Sequence, residues 1–273
     1  MTPAGKSAVL DEAPGSARGT KLWHVWGGRF RRLANAIAYR GFARPLNRRT
    51  YLPFLIGHRP DFHSDFDRFP HYRELYDLWI ARNVVNNCGD MARFYLICQN
   101  VSQILEEEVP GDFVELGVYK GNSAAVLAAL GRRKKRHTYL FDTFSGFDAR
   151  DLRGMDSGQR AQFADTSLEA VQKLVGADGV TYVKGFFPDS LSQVTLPERI
   201  AVVHIDCDLY EPMKAGLEQF YPRVPSGGLI MLHDYGSGHW PGAKRAIDEF
   251  FARRPEKPIV APDKAGTAVV RKI

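Results

Sequence analysis

Carboxylates recur in this sequence at one kind of position, the end of a short apolar run. Glu115 lies in DFVELG, Asp142 closes HTYLFD, Asp206 and Asp208 follow IAVVHI, and His233 and Asp234 close GLIMLHD. One such acid is an ordinary helix cap. Four runs ending this way, laid side by side as strands, would make a site, because open parallel sheets bind ligands beyond the carboxyl ends of their strands. Three carboxylates aimed at one point repel unless a cation neutralises them, and oxygen ligands of this kind suit Mg²⁺. Such an ion can chelate two neighbouring hydroxyls and lower the pKa of one until it is a nucleophile at neutral pH. Orientation and the cation's field on the developing alkoxide would then supply most of the rate. His233 has four readings at this stage: metal ligand, general base, a partner that orients Asp234, or a structural histidine. His204, inside its apolar run, reads as a core residue. His239 and Trp240 in GSGHWPG could touch a substrate or form a plain surface turn, and Tyr210 could pack beneath the site.

A second group of residues concerns a small-molecule ligand. In Asp112–Ser123, DFVELGVYKGNS, an apolar run breaks into glycines before an alanine-rich helix, Ser123–Leu130. Gly117 and Gly121 would let the backbone turn sharply and approach a ligand, and the helix would point free N–H groups at its anionic end. Asp142, closing the next run, stands where a carboxylate can accept from both hydroxyls of a ribose. The plainer alternatives are a tight turn for the glycines and a turn residue for Asp142. The loop lacks the GxGxxG spacing that fits a pyrophosphate, so an adenosine ligand without one suits it better than NAD.

The elements that must position these residues alternate. Strands are predicted at 113–116, 137–141, 180–183, 200–205 and 228–232, and helices at 167–175, 209–221 and 243–251. Residues 258–261 and 267–270 read as a terminal hairpin around Lys264–Gly266. This implies an α/β fold, a doubly wound, mainly parallel sheet of seven strands with helices on both faces. Upstream, Tyr72–Val85 and Met91–Leu105 repeat apolar residues every three or four positions and predict helices covering the sheet. Residues 1–20, rich in Ala, Gly, Pro and Ser, read as a disordered tail, 21–60 as a basic amphipathic arm, 61–109 as a helical cap and 110–273 as the main domain.

Charge supports that division. Residues 1–60 hold eleven Lys and Arg against Asp11 and Glu12, so the net charge of +6 belongs to the arm, and residues 61–273 are net negative. The tryptophans and arginines of 21–49 could lie on an anionic membrane surface, or the arm could pack on the domain or on a second subunit. No nucleic-acid motif accompanies the charge. Three scattered cysteines without a CxxC pair argue against a disulfide framework and a structural zinc site, and no signal core or spanning segment is evident, which points to the cytoplasm.

The motifs VPGDFVELGVYKGNSA, YLFDTFSGF, VKGFFPDSL, HIDCDLYEP, YPRVPSGGLIMLHDYG and WPGAKRAIDEFF occur in order over roughly residues 85–273. They resemble the macrocin and mycinamicin O-methyltransferases, a class I S-adenosylmethionine-dependent family that modifies deoxysugars of macrolide antibiotics. The resemblance implies a Rossmann-like methyltransferase fold, S-adenosyl-L-methionine as cofactor, a hydroxylated small-molecule acceptor and a homo-oligomer. It implies that Glu115 and Gly117 line the methionine end of the cofactor, with Gly121 and Ser123 at the turn. Asp142 would hold the ribose with Thr143 and Phe144 nearby, and Gly185, Phe186 and Phe187 would flank the adenine. Mg²⁺ would sit on Asp206, Asp208, His233 and Asp234, with Asp206 and His233 carrying the catalysis. The family commonly has two aspartates where this chain has His233–Asp234. The expected function is Mg²⁺-assisted O-methylation of a sugar or glycoside with adjacent hydroxyls. A catechol or polyketide acceptor and a non-catalytic, membrane-associated cofactor-binding protein are the alternatives, and an NAD-dependent dehydrogenase is a more distant one.

Overall fold

The computed structural model describes residues 72–273; the expected tail, the basic arm and residues 61–71 of the expected cap lie outside the described residues. Five apolar runs form strands β1 (Asp112–Leu116), β2 (Thr138–Asp142), β3 (Val180–Lys184), β4 (Ile200–Ile205) and β5 (Leu229–Leu232), and the C-terminal hairpin supplies β6 (Ile259–Val260) and β7 (Ala268–Arg271). The sheet order is β3-β2-β1-β4-β5-β7-β6, with β1 to β5 parallel and β7 antiparallel to both neighbours. The helices are α1 (Tyr72–Ile80), α2 (Val84–Cys88), α3 (Met91–Glu106), α4 (Asn122–Arg133), α5 (Leu168–Val175), α6 (Tyr210–Phe220) and α7 (Pro241–Phe251). Among the described residues no helix is long and apolar enough to cross a membrane.

The core strands are near-continuous apolar runs because both faces of the sheet are covered. Successive side chains alternate between the layers. Phe113 and Val202 pack with Leu75, Phe94, Ile97 and Leu130 of α1, α3 and α4, whereas Val114, Leu116, Val203 and Ile205 pack with Met213, Leu217 and Ile247 of α6 and α7. Before the sheet, the structure departs from the single helix expected over 72–85. The helix ends at Ile80 and restarts at Val84, with Asn83 at φ −142°. The break is clamped from both sides, Trp79 Nε1 donating to the Asn87 carbonyl at 2.9 Å and Asn87 Nδ2 to the Trp79 carbonyl at 2.5 Å.

At the carboxyl edge, Gly117 turns the chain out of β1 at φ +87°, so close to β4 that a Cβ would lie 2.0 Å from the carbonyl oxygen of Asp206. The long β2–α5 connection then folds over this edge. Its Asp156 accepts the Tyr210 N–H at 2.7 Å, beside Gly242, where a Cβ would meet the same carboxylate at 2.5 Å. Arg150 bonds Asp148 at 2.9 Å and Asp189 at 3.0 Å while its guanidinium lies 3.6 Å from the centre of the Phe186 ring. Asp151 is buried beneath, its Oδ1 without a protein partner. Burial, and then the charge of Asp148, push the Asp151 carboxyl up to about 7 from 3.8.

Two outcomes follow from this packing. Gly117→Ala should lower stability by more than ~2 kcal/mol, read as a loss of Tm, because alanine meets both an unfavourable φ and the backbone of Asp206. The folded state holds the Asp151 proton between pH 4 and 7 after the unfolded chain has released it, so stability falls as pH rises across that window. Asp151→Asn should therefore raise Tm by several degrees at pH 8 and leave it unchanged at pH 4, in melts followed by circular dichroism.

Candidate active site

A cavity of about 400 Å³ opens at the carboxyl edge of the sheet. The strand order reverses between β1 and β4, where the turns after neighbouring strands diverge and leave a crevice. Gly117 and Tyr119 line it from β1, Asp142 and Thr143 from β2, and Gly185, Phe186 and Phe187 from β3. Asp206, Cys207, Asp208 and Leu209 line it from β4, and His233 and Asp234 from β5. Asp90 and Arg93 enter at the start of α3, and Phe147, Asp148, Asp151, Phe163 and Trp240 close the far wall.

Asp142 ties the ligand half together. Its Oδ2 accepts the N–H groups of Val118 and Tyr119 at 2.6 and 2.9 Å, and its Oδ1 accepts the N–H of Phe144 at 2.6 Å. One carboxylate thus holds the glycine turn of β1 against the turn of β2. Gly121, at φ +83°, lets α4 begin against Val171 of α5, and Ser123 is buried in the first turn of α4. Gly121, Ser123 and the buried Phe144 shape this half without lining the cavity.

Glu115 also lies below the cavity rather than on it. It is fully buried, and its Oε1 is 2.8 Å from His204 Nδ1, the residue opposite it in the β1–β4 register. Arg93 Nη2 is 3.2 Å from His204 Nε2 and 2.5 Å from Asp206 Oδ2. A guanidinium only donates, so His204 Nε2 accepts and its Nδ1–H donates to Glu115. The chain Glu115–His204–Arg93–Asp206 thereby runs from the middle of the sheet to the cavity. Burial would raise the pKa of Asp206, yet Arg93 and then His233 outweigh it and hold the carboxyl well below the usual range.

His233 Nδ1 lies 2.8 Å from Asp206 Oδ1 and 2.7 Å from Asp234 Oδ2, so that a hydrogen on that nitrogen faces two carboxylate oxygens. Burial and the Arg93 charge oppose a cationic imidazole, but Asp206 and Asp234 prevail and raise the His233 pKa to about 9. Asp208 is buried, and its carboxyl goes well above the usual range through burial first, then the charges of Asp234 and Asp206 and a hydrogen bond with Asp234. Among the described residues, Asp206, His233 and Asp234 each offer one ligand atom within 4.8 Å of the others. Two carboxylate oxygens and an imidazole nitrogen fit a divalent cation. Asp208, expected as a fourth ligand, stands outside this group.

Arg93 is the main residue that motif reading missed. A signal existed: Arg93 heads the buried stripe of Ile97, Val101 and Ile104 on α3, and an arginine on a buried stripe needs an anion. Trp240 proves to be a buried wall residue, its ring 5.6 Å from Phe147 and 6.2 Å from Phe163. Its neighbour His239 is exposed and packs edge-on against it. Tyr210 turns away from the cavity, with its hydroxyl donating to Glu249.

Comparison with known proteins is consistent with this architecture. The chain is 33% identical over 150 residues to an 8-demethyl-8-(2,3-dimethoxy-alpha-L-rhamnosyl)-tetracenomycin-C 4'-O-methyltransferase of Streptomyces olivaceus, a match covering 50% of this chain and 57% of the relative. It is 30% identical over 172 residues to a demethyldecarbamoylnovobiocin O-methyltransferase of Streptomyces niveus, covering 58% of this chain and 64% of that protein. The chain thus spans less than two thirds of either relative. The solved structure of the O-methyltransferase NovP superposes with a TM-score of 0.58 at 27% identity, over 66% of this chain and 79% of the other. The profile of the macrocin O-methyltransferase (TylF) family matches residues 88–271, and the chain belongs to that family.

Proposed function

We propose that this protein transfers a methyl group from S-adenosylmethionine to a hydroxyl of a sugar or glycoside that carries an adjacent hydroxyl, with the help of a divalent cation. The observation that carries the reading is the meeting, in one cavity, of the Asp142-braced glycine turn with the Asp206–Asp208–His233–Asp234 cluster. The cofactor supplies an electrophilic sulfonium methyl. The glycine turn and Asp142 would hold its amino-acid and ribose ends, and Phe186 and Phe187 would flank the purine. A cation on Asp206, His233 and Asp234, Mg²⁺ in the family resemblance, would polarise the acceptor hydroxyls and displace the proton from His233.

The remaining roles belong to the protein alone. Asp208 lines the cavity beside the cluster, its carboxyl raised well above the usual range by burial and by the charges of Asp234 and Asp206. A cation on those two neighbours would cancel their charge and leave the Asp208 carboxylate to take the proton from the acceptor hydroxyl. This assigns to Asp208 the base role that sequence reading offered to His233, whose Nδ1 would be taken up by the cation. Phe147, Phe163 and Trp240 exclude water and give a sugar ring an apolar face to stack on. The relatives' names, one of which contains a rhamnosyl group, support a sugar acceptor. The same wall suits a planar aromatic diol, and competing the two acceptor classes in one assay decides between them.

Calorimetric titration with S-adenosylhomocysteine tests the cofactor site. Micromolar binding, about −8 kcal/mol, is expected. Asp142→Ala should weaken it at least tenfold, since the amides of Val118, Tyr119 and Phe144 lose their acceptor. A folded wild-type protein that binds no S-adenosylhomocysteine would exclude the methyltransferase reading. In single-turnover methylation assays Asp208→Asn should lower the rate by about 10²–10⁴-fold while leaving S-adenosylhomocysteine affinity unchanged, the signature of a lost general base.

A further inference from the structure

Asp206 and Asp234 offer oxygen to a cation, and His233 offers nitrogen. Resting on the methyltransferase reading above, we propose that this site selects a first-row transition ion of the Mn²⁺ or Co²⁺ kind over Mg²⁺. Mg²⁺ takes hard oxygen ligands almost exclusively and is held mainly by their charge, whereas imidazole nitrogen binds transition ions with a strength that rises along the series from Mn²⁺.

The surroundings of the three ligands push in the same direction. Arg93 Nη2 lies 2.5 Å from Asp206 Oδ2, so Asp206 presents a cation with Oδ1 alone and with part of its charge already balanced. A donor set thinned in negative charge and containing nitrogen loses more affinity for an ion bound by charge alone than for one that gains from nitrogen donation. The ligand atoms are already gathered: Asp206 Oδ1 and Asp234 Oδ2 stand 2.8 and 2.7 Å from His233 Nδ1. Separations of about 3 Å are what neighbouring positions of an octahedral shell with bonds of about 2.1 Å require.

The test uses the full chain, stripped with EDTA and titrated separately with MnCl₂, CoCl₂ and MgCl₂, followed by pulsed EPR of the Mn²⁺-loaded protein. Mn²⁺ and Co²⁺ should bind at least tenfold tighter than Mg²⁺, and the EPR should show ¹⁴N coupling from one bound imidazole. His233→Asp should abolish that coupling and move the preference toward Mg²⁺. Equal or tighter Mg²⁺ binding, absence of nitrogen coupling, or failure to bind any of the three ions would overturn the inference. If His233→Asp does not fold, the wild-type affinities and the ¹⁴N coupling decide alone. S-adenosylhomocysteine titrated into the same samples separates the two claims. Binding without metal selectivity refutes only this inference, while loss of all S-adenosylhomocysteine binding refutes the reading on which it rests.

Discussion

A buried carboxylate beside a ligand cavity must have a cation held against it, and in this protein Arg93 fills that requirement for Asp206. Much of the site's geometry follows from this pairing. Arg93 reaches Asp206 from the first turn of α3, so the helix must start at the carboxyl edge of β4. Asp90 caps that helix, its Oδ1 accepting the backbone N–H of Arg93 at 3.4 Å and of Lys264 at 3.2 Å, which also ties in the C-terminal hairpin. The same guanidinium polarises His204 and, through it, Glu115. A charge chain of this kind is costly to bury and costly to break, and it leaves few arrangements of α3, β1 and β4 that satisfy every member.

The opposite half of the cavity is governed by backbone rather than charge. Gly117 allows β1 to turn within contact of β4, and Asp142 then gathers the N–H groups exposed by that turn. The result is a rigid floor on one side and a cluster of titratable groups on the other. The electrostatics of that cluster are set by proximity: burial and the charges of Asp234 and Asp206 raise the Asp208 carboxyl, and His233 charges because two carboxylates face one nitrogen. The connection over the top contributes a different tension. Asp151 is held in a place that favours its neutral form, so the segment that closes the cavity carries a built-in dependence on pH.

Much of this was legible from the chain itself. The strand and helix pattern, the parallel order and the acids at the strand ends follow from apolar runs of the right length and from where those runs stop, and the motifs are specific enough to indicate the family. The helix expected over 72–85 was drawn too long, because the reciprocal bonds between Trp79 and Asn87 that break it join residues whose types suit a continuous helix equally well. Which acids face the ligand was decided only by tertiary structure. Glu115 and Asp142 look alike in sequence, yet the β1–β4 register places Glu115 under His204, while Asp142 emerges at the edge among free amides. Asp151 and Trp240 belong to separate segments, and nothing local distinguishes them from a turn acid and a loop aromatic, while the place of Arg93 on a buried helix stripe calls for an anion without telling that it is Asp206. Local sequence thus determined the elements and their order, because these depend on side-chain periodicity. Partner choice, burial and charge state were left to the fold, because they depend on distances between residues that only packing brings together.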